Sequence, residues 1–535
     1  MHRGIFKFQA SVILRTFVLL FAVFVATQSA SAQSTVFKQA VAEYAMRDSV
    51  IASFYRDTKY EPIWTGENDK ERRIELFRAL ESAGLHGLPV ARYDVARLKA
   101  DLASVRSPRD AGRMEVAITR VFLQYARDIQ SGALAPSEID PLIVRDVTYR
   151  EPNSHLMGIT SENPRAFLRT LPPSTAEYNA LMKQKLVLAR LIAKGGWGQT
   201  VRAQKLEPGD SGAAVVALRD RLVRMGYLKR SARNSYDEKM RSAVIRFQAD
   251  HGLEQDGIVG DGTLAEINTS AEARLHSIVV AMERERWLNI DRGQRHIEVN
   301  LTDFTAKIID KGKITFQTRS VVGAKDTKRQ SPEFSDVMEH MVINPTWFVP
   351  RSIATKEYLP KLKQNPGAVG HLLITDRNGR AVKRDSVDFE QYTARSFPYA
   401  MRQPPGKSNA LGLVKFMFPN KYNIYLHDTP AKKLFAREIR AYSHGCIRLA
   451  DPFDFAYALL AVQSDDPEGF FQSKLAPGKE VQVDLENHVP VHIIYRTARI
   501  DSKGRVQYRR DVYGRDARIW EALSQAGVAL YAVQG

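Results

Sequence analysis

The chain has 535 residues, 44% of them hydrophobic, and a formal charge of +18 from 78 Lys and Arg against 60 Asp and Glu. That length predicts three or four domains at about 100–200 residues each, and the composition supplies ordinary buried cores. A lone cysteine, Cys446, excludes an internal disulfide or a multi-cysteine metal site.

Residues 1–32 place Arg3, Lys7 and Arg15 before an apolar run from Phe17 to Ala26, followed by Ala30, Ser31 and Ala32. This is the pattern of a cleaved secretory signal; the alternative is an uncleaved anchor, but a core of roughly 10–12 residues is short of the ~20 that span a bilayer. An exported chain this basic meets an anionic envelope polymer or a membrane surface, or carries a generally basic solvated surface; in a cytosolic chain the same balance would point to nucleic acid.

Residues 33–205 repeat apolar positions at three- and four-residue spacing, in stretches such as AVAEYAMRDSVIASFY and RMEVAITRVFLQYARDI, and predict a helical scaffold domain. Residues 206–268 predict three short helices: Val215, Leu218, Leu222 and Met225 share one face, a second helix runs through Phe247-Gln248, and Asp256-Gly257 and Gly260 precede the third. With its glycine positions this stretch resembles the small three-helix peptidoglycan-binding domain, although Asn234-Ser235-Tyr236 replaces the usual Gly-rich turn. Residues 269–294 predict a linking helix.

From 295 the period changes to two, with Ile297, Val299 and Leu301 alternating against Glu298 and Asn300. Further strands are expected at HMVINPTWFV, LVKFMF and NIYLHD. Between them, residues 351–405 form a polar, Pro-containing insertion, either a lid over a site or a decorated loop. The tail from 475 to 535 reads as a basic, β-rich extension that either completes the catalytic sheet or contacts the wall.

In NIYLHDTP, Tyr425 and His427 share one strand face, and His427 lies at the strand end. After fifteen intervening residues comes Ser443-His444-Gly445-Cys446-Ile447-Arg448. In an oxidising compartment a leftover thiol is either buried and inert or a working nucleophile. A free thiol is only a few per cent thiolate at neutral pH, so a working one needs a base, and an imidazole serves. Gly445 lets the chain adopt conformations closed to other residues and aims nearby amides at a developing oxyanion.

The string from His427 to Arg448 resembles the signature of the L,D-transpeptidases of bacterial cell walls. Val322-Gly323, Ser331-Pro332, Asn344-Pro345-Trp347, Asn409-Ala410-Leu411-Gly412 and Lys415-Phe416 resemble that family's larger, lid-bearing branch over residues 295–474. The resemblance implies a multidomain α+β chain: helical scaffold, three-helix wall-binding domain and β-sandwich-like catalytic domain with an inserted lid. It implies Cys446 as nucleophile and His427 as proton donor and acceptor. Cys446 would form a thioester on a donor tetrapeptide stem with loss of D-alanine, and a diaminopimelate amine would then make a 3→3 cross-link. Gly445 would belong to the oxyanion region. His444 either supports that region, lines the acyl pocket or holds the turn; Ser443 positions the loop and His427. Arg448 either binds a stem carboxylate or pairs internally, and Tyr425 lines the pocket.

The expected partners are stem peptides and glycan in the periplasm or cell envelope, with an envelope protein as another acceptor, no nucleic acid, and membrane only through an uncleaved signal. No cofactor or metal is implied. Water as acceptor would make the chain an L,D-carboxypeptidase, and a protein amine would make it a wall-to-protein ligase. A non-catalytic peptidoglycan-binding protein, or a cysteine protease acting on L-peptides, would belong to other classes.

Overall fold

The computed structural model describes residues 34–501 and 503–530; the segment expected as a signal, 1–32, lies outside them. The amino-terminal region is helical. Its longest helix, Pro108–Ser131, starts where Ser107 accepts from the Asp110 amide with Pro108 at the first position, and ends at Gly132. Met114, Ile118, Phe122, Tyr125 and Ile129 form its buried stripe against Trp64 and Leu76. Within that core the Glu115 carboxylate is buried, accepting from the amides of Ile63, Trp64 and Thr65 and from the Tyr55 hydroxyl.

Helices Ala213–Arg224, Glu238–His251 and Asp261–Asn268 close a second core around Val215, Leu218, Leu222, Val244 and Phe247. Helix Ala271–Trp287 follows. It is more than a linker: it packs against the scaffold helix Ala176–Ala193 and the carboxy-terminal helix Arg515–Gln525, and its charged residues 283–286 are all buried.

The strands are β1 Arg295–Asn300, β2 Thr305–Asp310, β3 Lys313–Gly323, β4 Phe334–Ile343, β5 Trp347–Phe348, β6 Leu373–Thr375, β7 Ala400–Gln403, β8 Val414–Met417, β9 Leu426–His427, β10 Ala441–Ser443, β11 Ile447–Leu449, β12 Val481–Ile494, β13 Ala498–Ile500 and β14 Val506–Tyr508. One nine-stranded sheet runs β10-β3-β11-β9-β8-β4-β12-β1-β2, and β2 pairs back onto β3. The sheet therefore folds over on itself. The alternating residues Ile297, Val299, Met341, Ile343, Phe416, Leu426 and Ile447 fill its interior.

The tail contributes more than an extension of strands. β12 lies inside the sheet, parallel to β1 and antiparallel to β4. The β13–β14 hairpin and helix Arg515–Gln525 lie beyond it. The insertion between β4 and β8 holds a separate sheet, β5-β7-β6, with its own core of Trp347, Leu359, Leu362, Ile374, Phe389, Phe397 and Met401. Tyr425, beside β9, packs partly against that core.

Candidate active site

The parallel register of β9 with β11 sets Leu426 opposite Ile447 and His427 opposite Arg448. Residues in register share a face, so Leu426 and Ile447 enter the core, while His427 and Arg448 face the other way with Tyr425 and Cys446 one step behind. The Tyr425 and His427 rings lie 5.6 Å apart at a tilt. The Tyr425 side chain interacts with the Cys446 thiol, which lies 3.4 Å from the Asn423 carbonyl oxygen.

His427 is buried, and its Nδ1 bonds the Asp428 carbonyl oxygen. A carbonyl only accepts, so Nδ1 carries the proton and the neutral ring has its acceptor at Nε2. Burial, then the Arg448 guanidinium, lowers the imidazole pKa to about 3; main-chain hydrogen bonds only partly offset this. Burial raises the Cys446 thiol to about 11, against hydrogen bonds from Tyr425 and the Arg448 charge. At neutral pH the pair is thus a thiol beside a neutral imidazole. Arg448 stands near both groups, and among the described residues its Nε has no hydrogen-bond partner.

Asp428 is a functional residue that motif reading missed. Its carboxylate accepts from the amides of Leu413 and Thr429 and from Lys432. Gly412 has φ +64°, and a Cβ there would fall 2.2 Å from the Asp428 carboxylate, so only glycine fits. Asn409 donates to the carbonyls of Pro345, Gln403 and Pro404 and ties together the two ends of the insertion. The Asn409–Gly412 motif is therefore the neck of the insertion and the seat of the strand end bearing His427.

The Cys446 loop turns at Gly445, φ +115°. Ser443 Oγ donates to the Cys446 carbonyl and accepts the Gly445 amide. It braces the loop and makes no hydrogen bond to His427, which Asp428 orients instead. Because the Gly445 amide is committed to Ser443, the Cys446 amide is the one with no partner among the described residues. Ser331 Oγ donates to the Gly445 carbonyl at 2.6 Å, Tyr513 donates to the Gly323 carbonyl, and Arg515 holds the Ser331 carbonyl. His444 points outward: its Nε2 lies 2.7 Å from Glu357 of the insertion. Among the described residues no three His, Cys, Asp or Glu side chains converge to hold a metal ion, and no helix is long and apolar enough to cross a membrane.

Three family matches cover much of the chain: residues 294–483 match the L,D-transpeptidase catalytic domain, 211–267 the "Putative peptidoglycan binding domain" and 49–184 the scaffold domain. A Haemophilus influenzae protein named "Putative L,D-transpeptidase" is 32% identical over 255 residues, 47% of this chain and 51% of that protein, so the chain spans about half the length of the curated relative it matches. Two solved structures are also similar. The L,D-transpeptidase of Xylanimonas cellulosilytica is 12% identical, with 55% of this chain and 100% of that one covered and a TM-score of 0.17. That of Stackebrandtia nassauensis is 14% identical, with 56% and 97% covered and a TM-score of 0.21. This chain carries an L,D-transpeptidase catalytic domain together with a peptidoglycan-binding domain.

Proposed function

We propose that the protein is an exported L,D-transpeptidase of the periplasm or cell envelope that forms 3→3 peptidoglycan cross-links. The observation that carries this is the register of β9 with β11, which puts Cys446, Tyr425, His427 and Arg448 on one face. Cys446 Sγ attacks the carbonyl carbon at the L-centre of a donor tetrapeptide stem, and His427 Nε2 takes the thiol proton. The Cys446 amide donates to the oxyanion, a contact typically worth about 3 kcal/mol. Collapse breaks the bond to D-alanine, whose amine leaves with the proton from His427. An acceptor amine then attacks the thioester, His427 takes its proton, and the thiol is restored. General acid–base transfer of this kind contributes roughly 10²–10⁴ in rate.

Because the resting pair is neutral, deprotonation accompanies attack, and Tyr425 and Arg448 stabilise the sulfur as charge develops on it. Arg448, with its free Nε, also suits a stem carboxylate. His444 and Glu357 join the lid to the nucleophile loop, and the lid governs which acceptor enters.

The test is mass spectrometry of purified muropeptides incubated with the protein, Cys446→Ala and His427→Ala. Loss of D-alanine with a 3→3 dimer, absent from both variants, is expected. Trimmed tripeptide without dimer would make the chain a carboxypeptidase or point to a protein amine as acceptor. No turnover together with retention on insoluble wall would leave a binding protein.

A further inference from the structure

A cavity of about 690 Å³ opens between the end of helix Glu238–His251, the β2–β3 edge, the segment before β10 and the β13–β14 hairpin. Cys446 is not among its lining residues. Its carboxylates are Glu254, Asp303 and Glu438. Lys307 and Arg499 share Asp303, and Arg510 is held by Glu266 and Glu438. Arg319, Arg437, Arg440 and Arg509 also line it, and among the described residues none of these four has a carboxylate within ion-pair distance.

Two of the four have structural work. Arg440 donates to the carbonyls of Ser320, Asp303 and Phe304, and Arg509 to those of Asp250 and Tyr508. Arg319 makes one bond, to the Phe435 carbonyl at 3.3 Å, and Arg437 lies against the Tyr442 ring; both are exposed. Like charges crowd one another here: burial and then Arg319 lower the Arg440 pKa to about 10. Uncompensated guanidiniums around a roomy cleft favour an oxyanion ligand, and their planar fork suits carboxylates.

We infer that this cleft is a second substrate subsite, which binds the carboxylate-bearing stem peptides of a glycan strand held by the peptidoglycan-binding domain. One wall belongs to that domain. The opposite wall, Arg437–Arg440, runs directly into β10 and the Cys446 loop. Neighbouring stems lie in the cleft while one stem reaches the thiol. The inference rests on the wall-substrate function proposed above.

The experiment measures binding of a labelled, uncross-linked glycan strand with tetrapeptide stems to the full chain, by fluorescence anisotropy at two ionic strengths. The pair Arg319→Gln with Arg437→Gln is expected to weaken binding at least about tenfold, while Arg319→Lys with Arg437→Lys, which keeps the charge and loses the planar fork, weakens it by less than the Gln pair. A strand with amidated carboxyl groups should bind the unaltered protein as weakly as the Gln pair binds the native strand. Should the Gln pair lower the thermal midpoint, Arg437→Gln alone gives the same readout. Unchanged affinity in the Gln variants, or equal binding of the amidated strand, overturns the inference. Displacement of the strand by inorganic polyphosphate at lower concentration than by unlabelled strand would overturn the carboxylate assignment. Acylation of Cys446 by a carbapenem, read as a mass shift on the unaltered protein, tests the catalytic proposal separately.

Discussion

A neutral thiol beside a neutral imidazole has consequences that can be measured. The His427 pKa falls to about 3 in the folded chain, below its ordinary 6.5, so in its proposed role as base it remains competent far into acid. The acid limb of the acylation rate should lie near pH 3–4, and a limb near 6.5 would contradict this placement. The same shift bears on stability. The folded state favours the neutral ring, a contribution fully present above pH 6.5 and lost as pH falls toward 3. His427→Gln should flatten the dependence of thermal midpoint on pH in that window. Cys446 is shifted the other way, up to about 11, so iodoacetamide should alkylate it far more slowly at pH 7 than a free cysteine, with the rate climbing beyond pH 9. Tyr425→Phe removes a hydroxyl that favours thiolate and should slow alkylation at pH 9 several-fold. The motif singled out His427 and Cys446 because the proposed chemistry needs those residue types, and the register of β9 with β11 brings the two onto one face. Asp428 was not legible, since nothing marks an aspartate after a histidine until Gly412 is seen to make room for it.

Among the elements, the segment from Ser331 to Phe334 ties the reaction loop to the body. Ser331 bonds the Gly445 carbonyl, and two residues later Glu333 is buried against Arg284 at 2.7 Å and Arg515 at 3.1 Å. Glu333→Gln takes one of two carboxylates from each guanidinium, Arg284 keeping Asp516 and Arg515 keeping Asp140, and should cost up to about 3 kcal/mol, read as a lower midpoint of denaturant unfolding. Ser331→Ala removes two hydrogen bonds, one donated to the Gly445 carbonyl and one accepted from the Gly323 amide, about 2–3 kcal/mol with both buried groups left unmet, and should lower turnover more than stability. The His444–Glu357 pair is partly exposed, and such pairs contribute at most about 1 kcal/mol. Glu357→Gln should therefore leave the thermal midpoint within about 2 °C while changing acylation by long stem peptides. Alternation in β1 and helical spacing in Ala213–Arg224 announced those elements because each buries one face in a local pattern. The insertion looked polar because its core is assembled from Trp347, Leu362, Phe389, Phe397 and Met401, too widely spaced to form a period.

Across the whole molecule, helix Ala271–Trp287 is the axis on which the parts meet. Arg286 bonds Glu283, the Tyr178 hydroxyl and the His86 carbonyl of the scaffold. Arg284 reaches Glu333 and Asp516, and Glu285 pairs with Arg496 and Arg292. The tail closes the assembly: Tyr508 stacks on His251 of the peptidoglycan-binding domain, and Arg509 and Arg510 bond Asp250 and Glu266. Read alone, MERERW is the end of a linking helix, and the tail is a basic, β-rich extension with two uses left open. The local order of residues specified the helices, the alternating strands and the short motif that carries His427 and Cys446, since periodicity, caps and motifs act within a few turns of chain. The distant partners of Arg284, Glu285 and Arg286, the seat of β12 inside the sheet and the basic cleft between domains came only from the assembled fold. A buried charge needs an opposite charge, and where that comes from far along the chain, as Glu333 and Asp516 do for Arg284, no local pattern names the partner.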